Sequence, residues 1–367
     1  MIINNIDRTV PKSKSSLRKG WTTGACATAA VKAAYSAILT GQFNQSVSIT
    51  LPRGEKPSFN LYETGFVNNG ATATIIKDAG DDPDVTHGAL IRATVRKGKS
   101  SQGISFHAGE GVGTVTLPGL SLAVGEPAIN LAPRRMMEAV VKELALIHQT
   151  DSDLEITISI KDGQKLAERT LNSRLGILGG LSILGTTGIV TPYSCAAWIS
   201  SIHQSVDVAC AAGISHIAGA TGKTSENAVR NLHKLEDQAL IEMGDFAGAL
   251  IKYSRKKCLE KFTIAGGFAK ISKLAQGHLD LHSGRSSVDI NFLVSILQEL
   301  GASGKVLEEA QKSPSANALL SLAGNLPISE KVAFRALDKV REILQSPDVH
   351  LDIAIFNRAG ELLGHAK

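Results

Sequence analysis

Alternation of apolar and polar residues divides the chain into two regions. Residues 22–40 form an alanine-rich pattern in which Thr22 or Thr23 can cap a helix and Gly41 can end it. The segments that follow are rich in Val, Ile, Thr and Phe, and they predict strands at 46–51, 58–67, 71–77, 89–96, 103–107 and 112–117. A second helix is predicted over 133–148 from its apolar spacing. We therefore expect an α+β domain over residues 1–150.

From Leu154 onward, strand patterns alternate with helix patterns. Strands are predicted at 156–160, 216–222, before Gly244, before Gly266 and at 351–356, with helices over about 193–212, 225–235, 249–260, 269–276 and 330–344. Successive strand–glycine–helix units are typical of a mostly parallel sheet with helices on both faces. The pattern predicts an α/β domain over residues 151–367. Ligands of such sheets bind beyond the carboxyl ends of the strands.

Glycine-rich turns fall at the expected strand ends of this second region. They are GTTG at 185–188, GATGKTSE at 219–226, GDFAG at 244–248 and AGGFAK at 265–270. The first belongs to a longer run, GILGGLSILGTTGIV, over residues 176–190. Glycine permits positive φ and lets a ligand approach the backbone, but it also permits close packing of strands. The glycine pattern alone leaves both interpretations open. None of the turns has the spacing of a dinucleotide fingerprint or a P-loop.

Composition narrows the class of protein. The chain has 367 residues, of which 43% are hydrophobic and 20% charged, and no apolar run has the roughly 20 residues of a membrane helix. Its start lacks the apolar core of a signal peptide, so we expect a cytoplasmic protein without membrane contact. The four cysteines lack C-x-x-C spacing, which argues against a zinc site and a disulfide scaffold. A net charge of +5 with only 4% aromatic residues favours a small anionic partner over nucleic acid, although the charge by itself is also explained by solubility alone.

Polar clusters supply candidate chemistry, each with a structural alternative. The segment GHLDLHSGRSSVD, 277–289, can form an acid–base or anion-binding loop, or an exposed polar loop; its H-x-D-x-H pattern is weak as a metal site. KDAGDDPDVTHGA, 77–89, can bind a cation, position a base or form a solvated turn. Glu226 can accept hydrogen bonds from a ribose or only complement a helix dipole. Arg134 and Arg135 lie in a first helical turn, which favours an anionic ligand nearby.

Taken together, these motifs resemble the CbiD family of anaerobic cobalamin biosynthesis. The matching segments, in order over about residues 17–290, are LRKGWTTGACATAA, KDAGDDPDVTHGA, GEGVGTVTLPGL, VGEPAIN, APRRMM, LGILGGLSILGTTGIVTPYS, GATGKTSE, GDFAG and GGFAKISKLAQGHLDLHS. Two departures are Leu131, where the family usually has proline, and LDLHS, where the family tends to have threonine before HS. The second departure weakens an acid–base role for that loop.

The resemblance implies a fold and an activity. It implies a first domain similar to domain 2 of ribosomal protein S5 and a second, Rossmann-like domain. It also implies that S-adenosyl-L-methionine donates a methyl group to carbon 1 of cobalt-precorrin-5B, a tetrapyrrole, giving cobalt-precorrin-6A. Cobalt arrives as part of the substrate, so we expect no metal site in the protein.

Hypothetical roles follow from the resemblance together with the patterns. The methyl donor is assigned to Gly179, Gly180, Ser182, Gly185, Thr186, Thr187 and Gly188, with Glu226 and Asp245 as polar partners. The carboxylate arms of the tetrapyrrole are assigned to Arg134, Arg135, Lys270, Lys273 and Arg285, with the macrocycle in a cleft between the domains. The proton acceptor is assigned to His282 first, and to Asp78 or His87 next.

Two other functions stay open on the sequence. S5-like domains also occur in small-molecule kinases, so a nucleotide-dependent kinase is one alternative, although no convincing phosphate loop is present. A non-catalytic tetrapyrrole-binding protein is the other. The sequence leaves the oligomeric state open, a homo-oligomer included.

Overall fold

The computed structural model describes residues 17–367. The segment in which we expect no signal peptide, residues 1–16, lies outside the described residues. Two compact groups of residues are present. Unit 1 comprises residues 17–116, 121–173 and 177–194, and unit 2 comprises residues 117–120, 174–176 and 195–367.

Unit 1 combines two long helices with short and long strands. Its elements are β1 Gly20–Trp21, α1 Thr23–Thr40, β2 Ser46–Ser48, β3 Ser58–Asn60, β4 Glu63–Val67, β5 Gly70–Ile76, β6 Leu90–Lys97, β7 Ile104–Ala108, β8 Thr114–Val115, α2 Leu131–His148, β9 Leu154–Ile160, α3 Gly163–Ala167, β10 Ile177–Leu178 and β11 Ile189–Val190. The main sheet has the order β4-β5-β6-β9-β7, and its pairs are antiparallel except β7 with β9.

The first helix of unit 1 forms as its sequence predicts. The Thr22 hydroxyl accepts a hydrogen bond from Ala25 N at 3.1 Å, and Gly41 ends the helix with a φ of 77°. Most of α1 is buried, because its small side chains allow close packing against β5, β6 and α2. Helix α2 begins at Leu131 rather than at 133, with Pro133 in its first turn.

Strand β9 lies in unit 1, which differs from the expectation that the second domain begins near residue 151. β9 pairs with β6 along its whole length and also with β7, so its alternate apolar residues complete the core of the first sheet. Unit 1 consequently extends to residue 194, and residues 177–190 of the glycine run belong to it. The apolar strand pattern is real, but strand pairing depends on contacts distant in sequence.

Unit 2 shows the alternation of strands and helices that the sequence predicts. Its elements are α4 Cys195–Ala211, β12 His216–Ala220, α5 Lys223–His233, a 3₁₀ turn Asp237–Ala239, β13 Leu240–Glu242, α6 Ala247–Ser254, β14 Lys261–Gly267, α7 Phe268–Ala275, α8 Ile290–Glu299, α9 Gly304–Gln311, α10 Ala316–Leu322, α11 Ile328–Leu344, β15 His350–Phe356 and β16 Leu362–Ala366. The sheet order is β13-β12-β14-β15-β16, with β16 antiparallel at one edge and the other strands parallel.

Two different layers cover the unit 2 sheet. One face packs against α4, α6, α7 and α11 through large side chains such as Phe262, Ile264 and Ile353. The other face presents Ala218, Ala265 and other small residues to α5. The protein is therefore a mixed α/β protein. Among residues 17–367, no helix combines the length and apolar character required to cross a bilayer.

Candidate functional site at the carboxyl edge of the unit 2 sheet

The strand order of unit 2 has a switch point at the carboxyl ends of β12 and β14. The chain leaves β12 toward β13 on one side and returns to β14 on the other, so the loops after β12 and β14 diverge. The two strands approach closely at this point. A Cβ added to Gly266 would lie 2.9 Å from side-chain atoms of Thr221, which is why a side chain does not fit there. Such a switch point is where doubly wound sheets bind ligands.

Lys270 connects the two sides of this edge. Its Nζ donates to the Thr221 carbonyl oxygen after β12 at 3.2 Å and lies 2.9 Å from Asp245 Oδ1 in the loop after β13. Lys270 itself belongs to α7, which follows β14. The sequence prediction that glycine turns bring polar groups to one edge is confirmed for the turns at 219–226, 244–248 and 265–270. A fixed ammonium group beside a carboxylate can bind a zwitterionic ligand.

Glu226 is held by two cations rather than standing free for a ligand. Its side chain is 4% exposed, and Arg174 donates to both carboxylate oxygens at 2.9 and 2.7 Å, while Lys223 Nζ donates at 2.8 Å. Burial opposes the charged form of Glu226, but the hydrogen bonds from Arg174 and Lys223 outweigh it and lower the pKa of this carboxyl. A ligand hydroxyl would have to share or displace these donors.

The segment that contains His282 lies against the loop after β13. Leu281 N donates to the Asp245 carbonyl oxygen at 2.8 Å, and Arg285 forms an ion pair with Asp280. The His282 Nδ1 atom accepts a hydrogen bond from Gly284 N at 3.0 Å. A neutral His282 therefore carries its proton on Nε2 and presents a donor there.

Lys273 is less accessible than its predicted role requires. The side chain is buried, its Nζ donates to the Leu281 carbonyl oxygen at 3.0 Å, and burial lowers the pKa of its ammonium group. Lys273 thus holds the 280–285 segment in place through its hydrogen bond to Leu281. Lys270 and Arg285 remain at the surface of the same edge, each already paired with a carboxylate.

The acidic segment of unit 1 forms an ordered turn network. Arg18 donates to both oxygens of Asp78, at 2.9 Å for Nη2 to Oδ1, and Gly80 N also donates at 2.9 Å. These hydrogen bonds, chiefly the one from Arg18, lower the pKa of Asp78 to about 2. So acidic a carboxyl is a poor proton acceptor near neutral pH. The His87 Nδ1 atom accepts from Ala79 N at 3.1 Å, so this ring also presents a donor at Nε2.

Residues 177–190 of the glycine run are packed within unit 1, so the expectation that the run follows a strand of the parallel sheet is wrong. β10 pairs antiparallel with β8, and a Cβ at Gly180 would lie 2.2 Å from the Gly111 carbonyl oxygen. A Cβ at Gly185 would lie 2.3 Å from Thr22 Oγ1, and one at Gly188 would lie 2.5 Å from the Leu51 side chain. Close packing accounts for these three glycines.

The other residues of this run differ in exposure. The Ser182 side chain is buried and bonds to Asn172 Oδ1 at 3.4 Å, and Thr187 Oγ1 donates to the Ile189 carbonyl oxygen at 3.3 Å. Gly179 has a φ of 87° and open space around it, and Thr186 is exposed. Of the residues in this run that were assigned to the methyl donor, only Gly179 and Thr186 are exposed.

Neighbouring residues of the same segment already supply hydrogen-bond and ion-pair partners for Arg134. Its Nε donates to the Ile129 carbonyl oxygen at 2.7 Å, and its Nη2 lies 2.6 Å from Glu126. Its unusual position in the first turn of α2 is thus explained without an anionic ligand, whereas Arg135 is exposed. Sequence reasoning missed Arg18 and Arg174, because no local motif signals the partner of a distant carboxylate.

Comparisons with known proteins agree over both units. The family model CbiD matches residues 10–192, and the model "CbiD, C-terminal domain" matches residues 280–367. A protein of Paramagnetospirillum magneticum named cobalt-precorrin-5B C(1)-methyltransferase is 51% identical, over 96% of this chain and 99% of its own. A protein of the same name from Brucella anthropi is 49% identical, over 97% of this chain and 99% of its own.

A solved structure also matches. The 1.9 Å crystal structure of a cobalamin biosynthesis protein (cbiD) from Archaeoglobus fulgidus has a TM-score of 0.41 at 24% identity, covering 73% of this chain and 83% of that one. The matches to the family models and to the full-length relatives settle the family. This chain belongs to the CbiD family.

Proposed function

We propose that this chain transfers a methyl group to carbon 1 of cobalt-precorrin-5B, giving cobalt-precorrin-6A in anaerobic cobalamin biosynthesis. The observation that carries this proposal is identity of about 50% with relatives of that name over nearly the whole chain. We further propose S-adenosyl-L-methionine as the methyl donor. Cobalt belongs to the substrate in this reaction.

The fold supports this activity in outline. We propose that unit 1 is similar to domain 2 of ribosomal protein S5, on the basis of its helix-covered, mostly antiparallel sheet. We propose that unit 2 is Rossmann-like, on the basis of four parallel strands with helices on both faces. A crevice at a strand-order switch is the usual ligand site of such a unit.

We place the methyl donor at that crevice rather than on the run 179–188. The packing of Gly180, Gly185 and Gly188 needs no ligand to explain it, whereas Lys270 and Asp245 present opposite charges at the switch point. The methionine part of the donor carries a carboxylate and an ammonium group. Lys270 can pair with the first and Asp245 with the second. Glu226 then acts through Lys223, which it holds at the start of α5.

Methyl transfer itself requires little covalent help from the protein. A C–C bond forms at carbon 1 of the macrocycle, the S–CH₃ bond of the sulfonium breaks, and the macrocycle loses a proton as its conjugation rearranges. The protein must align donor and acceptor and keep water away. His282 is the first candidate for the proton acceptor, and it can accept only at Nδ1, after the hydrogen bond from Gly284 N opens. Arg285 and Arg135 are candidates to bind the carboxylate arms.

Mass spectrometry of the tetrapyrrole tests the reaction. After incubation with cobalt-precorrin-5B and donor labelled with a deuterated methyl group, we expect the tetrapyrrole to gain one labelled methyl group, located at carbon 1 by NMR. An unchanged tetrapyrrole mass in the presence of folded protein would contradict the proposal. Calorimetry with the donor, its demethylated product and ATP separates the alternatives, because a kinase would bind ATP alone and a non-catalytic tetrapyrrole-binding protein none of the three.

A further inference from the structure

A row of polar side chains crosses the amino-terminal half of the unit 2 sheet, on the face that α5 covers. His216 on β12, Thr263 on β14, Asp352 on β15 and His365 on β16 share this face. His216 Nε2 lies 2.8 Å from Thr263 Oγ1, and Thr263 is paired in register with Asp352. Nearer the carboxyl ends, the same face carries alanines instead. The polar row is therefore a local feature of one end of the sheet.

Asp352 is the centre of this row and is completely buried. His365 Nε2 contacts its Oδ1 atom, His233 Nε2 lies 2.5 Å from its Oδ2 atom, and the Thr263 hydroxyl donates to Oδ2 at 3.3 Å. A buried carboxylate persists only where positive charge or several donors compensate it. Two imidazoles directed at one buried carboxylate make an arrangement that a cation can also satisfy.

His233 approaches this carboxylate from a different element. It is the last residue of α5, its Nε2 atom is buried, and that atom has no partner in hydrogen-bond geometry despite the short approach to Asp352. His233 Nε2, His365 Nε2 and an Asp352 carboxylate oxygen all lie within 4.8 Å of one another. The three residues belong to α5, β15 and β16. Two imidazole nitrogens and one carboxylate oxygen form a ligand set that proteins use for zinc and related divalent ions.

We propose that His233, Asp352 and His365 bind a divalent transition-metal ion, with zinc as the favoured ion. Tetrahedral zinc with ligands at about 2.0–2.1 Å needs ligand atoms about 3.3 Å apart. The 2.5 Å approach of His233 Nε2 to Asp352 must therefore open by less than an ångström as the ion enters. Water completes the fourth position. The ion links the end of α5 to the last two strands, so we expect its binding to stabilise unit 2.

Lys261 competes with the ion for the same carboxylate. Its Nζ lies 3.3 Å from Asp352 Oδ2 and 3.5 Å from His233 Nδ1. Its side chain is 29% exposed, so the ammonium group can turn toward solvent when an ion takes its place. If an ion binds here, removing the Lys261 charge should tighten its binding. If no ion binds, the same substitution only removes a favourable contact with Asp352.

Calorimetric titration of the chelator-treated full chain with zinc chloride tests the proposal. We expect one tightly bound ion per chain, and affinities at least about 100-fold weaker for His233→Ala and His365→Ala. His350→Ala is the matched control, because His350 begins the same strand as Asp352 but is exposed, and it should keep the wild-type affinity. Lys261→Met should bind about tenfold more tightly. The proposal would be overturned if zinc did not bind stoichiometrically, or if His350→Ala lost as much zinc affinity as the ligand variants.

The visible absorption spectrum of the wild-type chain with cobalt(II) tests the site even if a variant at a ligand residue fails to fold. Cobalt(II) added to the chelator-treated protein should give the intense visible absorption of a four-coordinate site, and zinc should abolish it. A weak, six-coordinate cobalt spectrum would refute the proposed ligand set. Circular dichroism of each metal-free variant establishes that it is folded. Neither readout depends on methyltransferase activity, so the site and the proposed function can fail separately.

Discussion

Replacing Arg174 with methionine tests whether Glu226 is a structural anion. In the wild-type protein Arg174 supplies two of the three hydrogen bonds that Glu226 accepts from cations, and both side chains are largely buried, at 17% and 4% exposure. The substitution leaves a buried carboxylate with Lys223 as its cationic partner, and that side chain is 65% exposed. Breaking a buried ion pair costs roughly 3–5 kcal/mol. Because Lys223 remains, we expect a loss of about 2–4 kcal/mol of unfolding free energy.

The stability loss of Arg174→Met should depend on pH, because the substitution changes the pKa of Glu226. In the folded wild-type protein the pKa of Glu226 lies below its ordinary value of 4.5, so its contribution to stability is present above pH 4.5 and is lost as pH falls through the folded pKa. Without Arg174, burial should dominate and raise that pKa above the unfolded value. The variant's folded state then takes up a proton more readily than its unfolded state. The deficit relative to wild type should therefore shrink between pH 7 and pH 5.

Tryptophan fluorescence can follow unit 2 alone. The chain has two tryptophans, Trp21 in unit 1 and Trp198 in unit 2, so a Trp21→Phe background reports unfolding of unit 2 in urea. Arg230→Met is the matched control, because Arg230 lies on α5 with Glu226 and forms a more exposed ion pair, with Asp237. This control substitution should lower the unfolding free energy by less than about 1 kcal/mol. Adding Glu226→Gln to Arg174→Met should restore about half of the loss or more. Wild-type stability of Arg174→Met at pH 7 would refute the reasoning.

Three further outcomes follow from other parts of the protein. Gly179→Ala should lower the unfolding free energy of unit 1 by about 1–2 kcal/mol, because Gly179 has a positive φ. Gly180→Ala should lower it by more, because its Cβ would lie 2.2 Å from a backbone oxygen. Equal losses in urea unfolding would contradict this. Lys270→Gln should weaken binding of S-adenosyl-L-methionine about 10–100-fold in calorimetry, and unchanged affinity would move the donor site elsewhere. Burial raises the pKa of Cys26 to about 12, so iodoacetamide at pH 8 should modify the exposed Cys258 and spare Cys26 in peptide mass spectra of the folded chain.

Local patterns predict much of the fold, because each predicted element carries its own signal. The alanine-rich helix α1, with Thr22 before it and Gly41 after it, is confirmed by its capping contacts. The parallel strands β12, β13 and β14 are confirmed, and each is a short apolar run followed by a glycine-containing turn and a helix. Strand β9 shows the limit of this reasoning. Its sequence predicts a strand, but its partners β6 and β7 lie many residues away, and only pairing decides which sheet it joins.

Candidate site residues are harder to predict than elements, because a side chain's role depends on partners from distant segments. Lys270 and Asp245 were predicted to lie at one edge, and they do, because both follow parallel strands. Glu226 was predicted as a ligand contact, yet its oxygens are engaged by Arg174, 52 residues earlier in the chain. Asp78 is similarly engaged by Arg18. No local motif distinguishes a free carboxylate from a paired one.

Parallel strands separate the two kinds of chemistry proposed for unit 2. The amino ends of the four parallel strands lie at one edge and their carboxyl ends at the other, so Lys270 and the polar row around Asp352 cannot share a ligand through this sheet. At the carboxyl end, the opposite charges of Lys270 and Asp245 favour a zwitterionic, exchangeable ligand. At the amino end, His233 closes α5 over a buried carboxylate, which favours a permanent cation. The positions of the charges, rather than the number of glycines, therefore indicate where unit 2 binds its ligands.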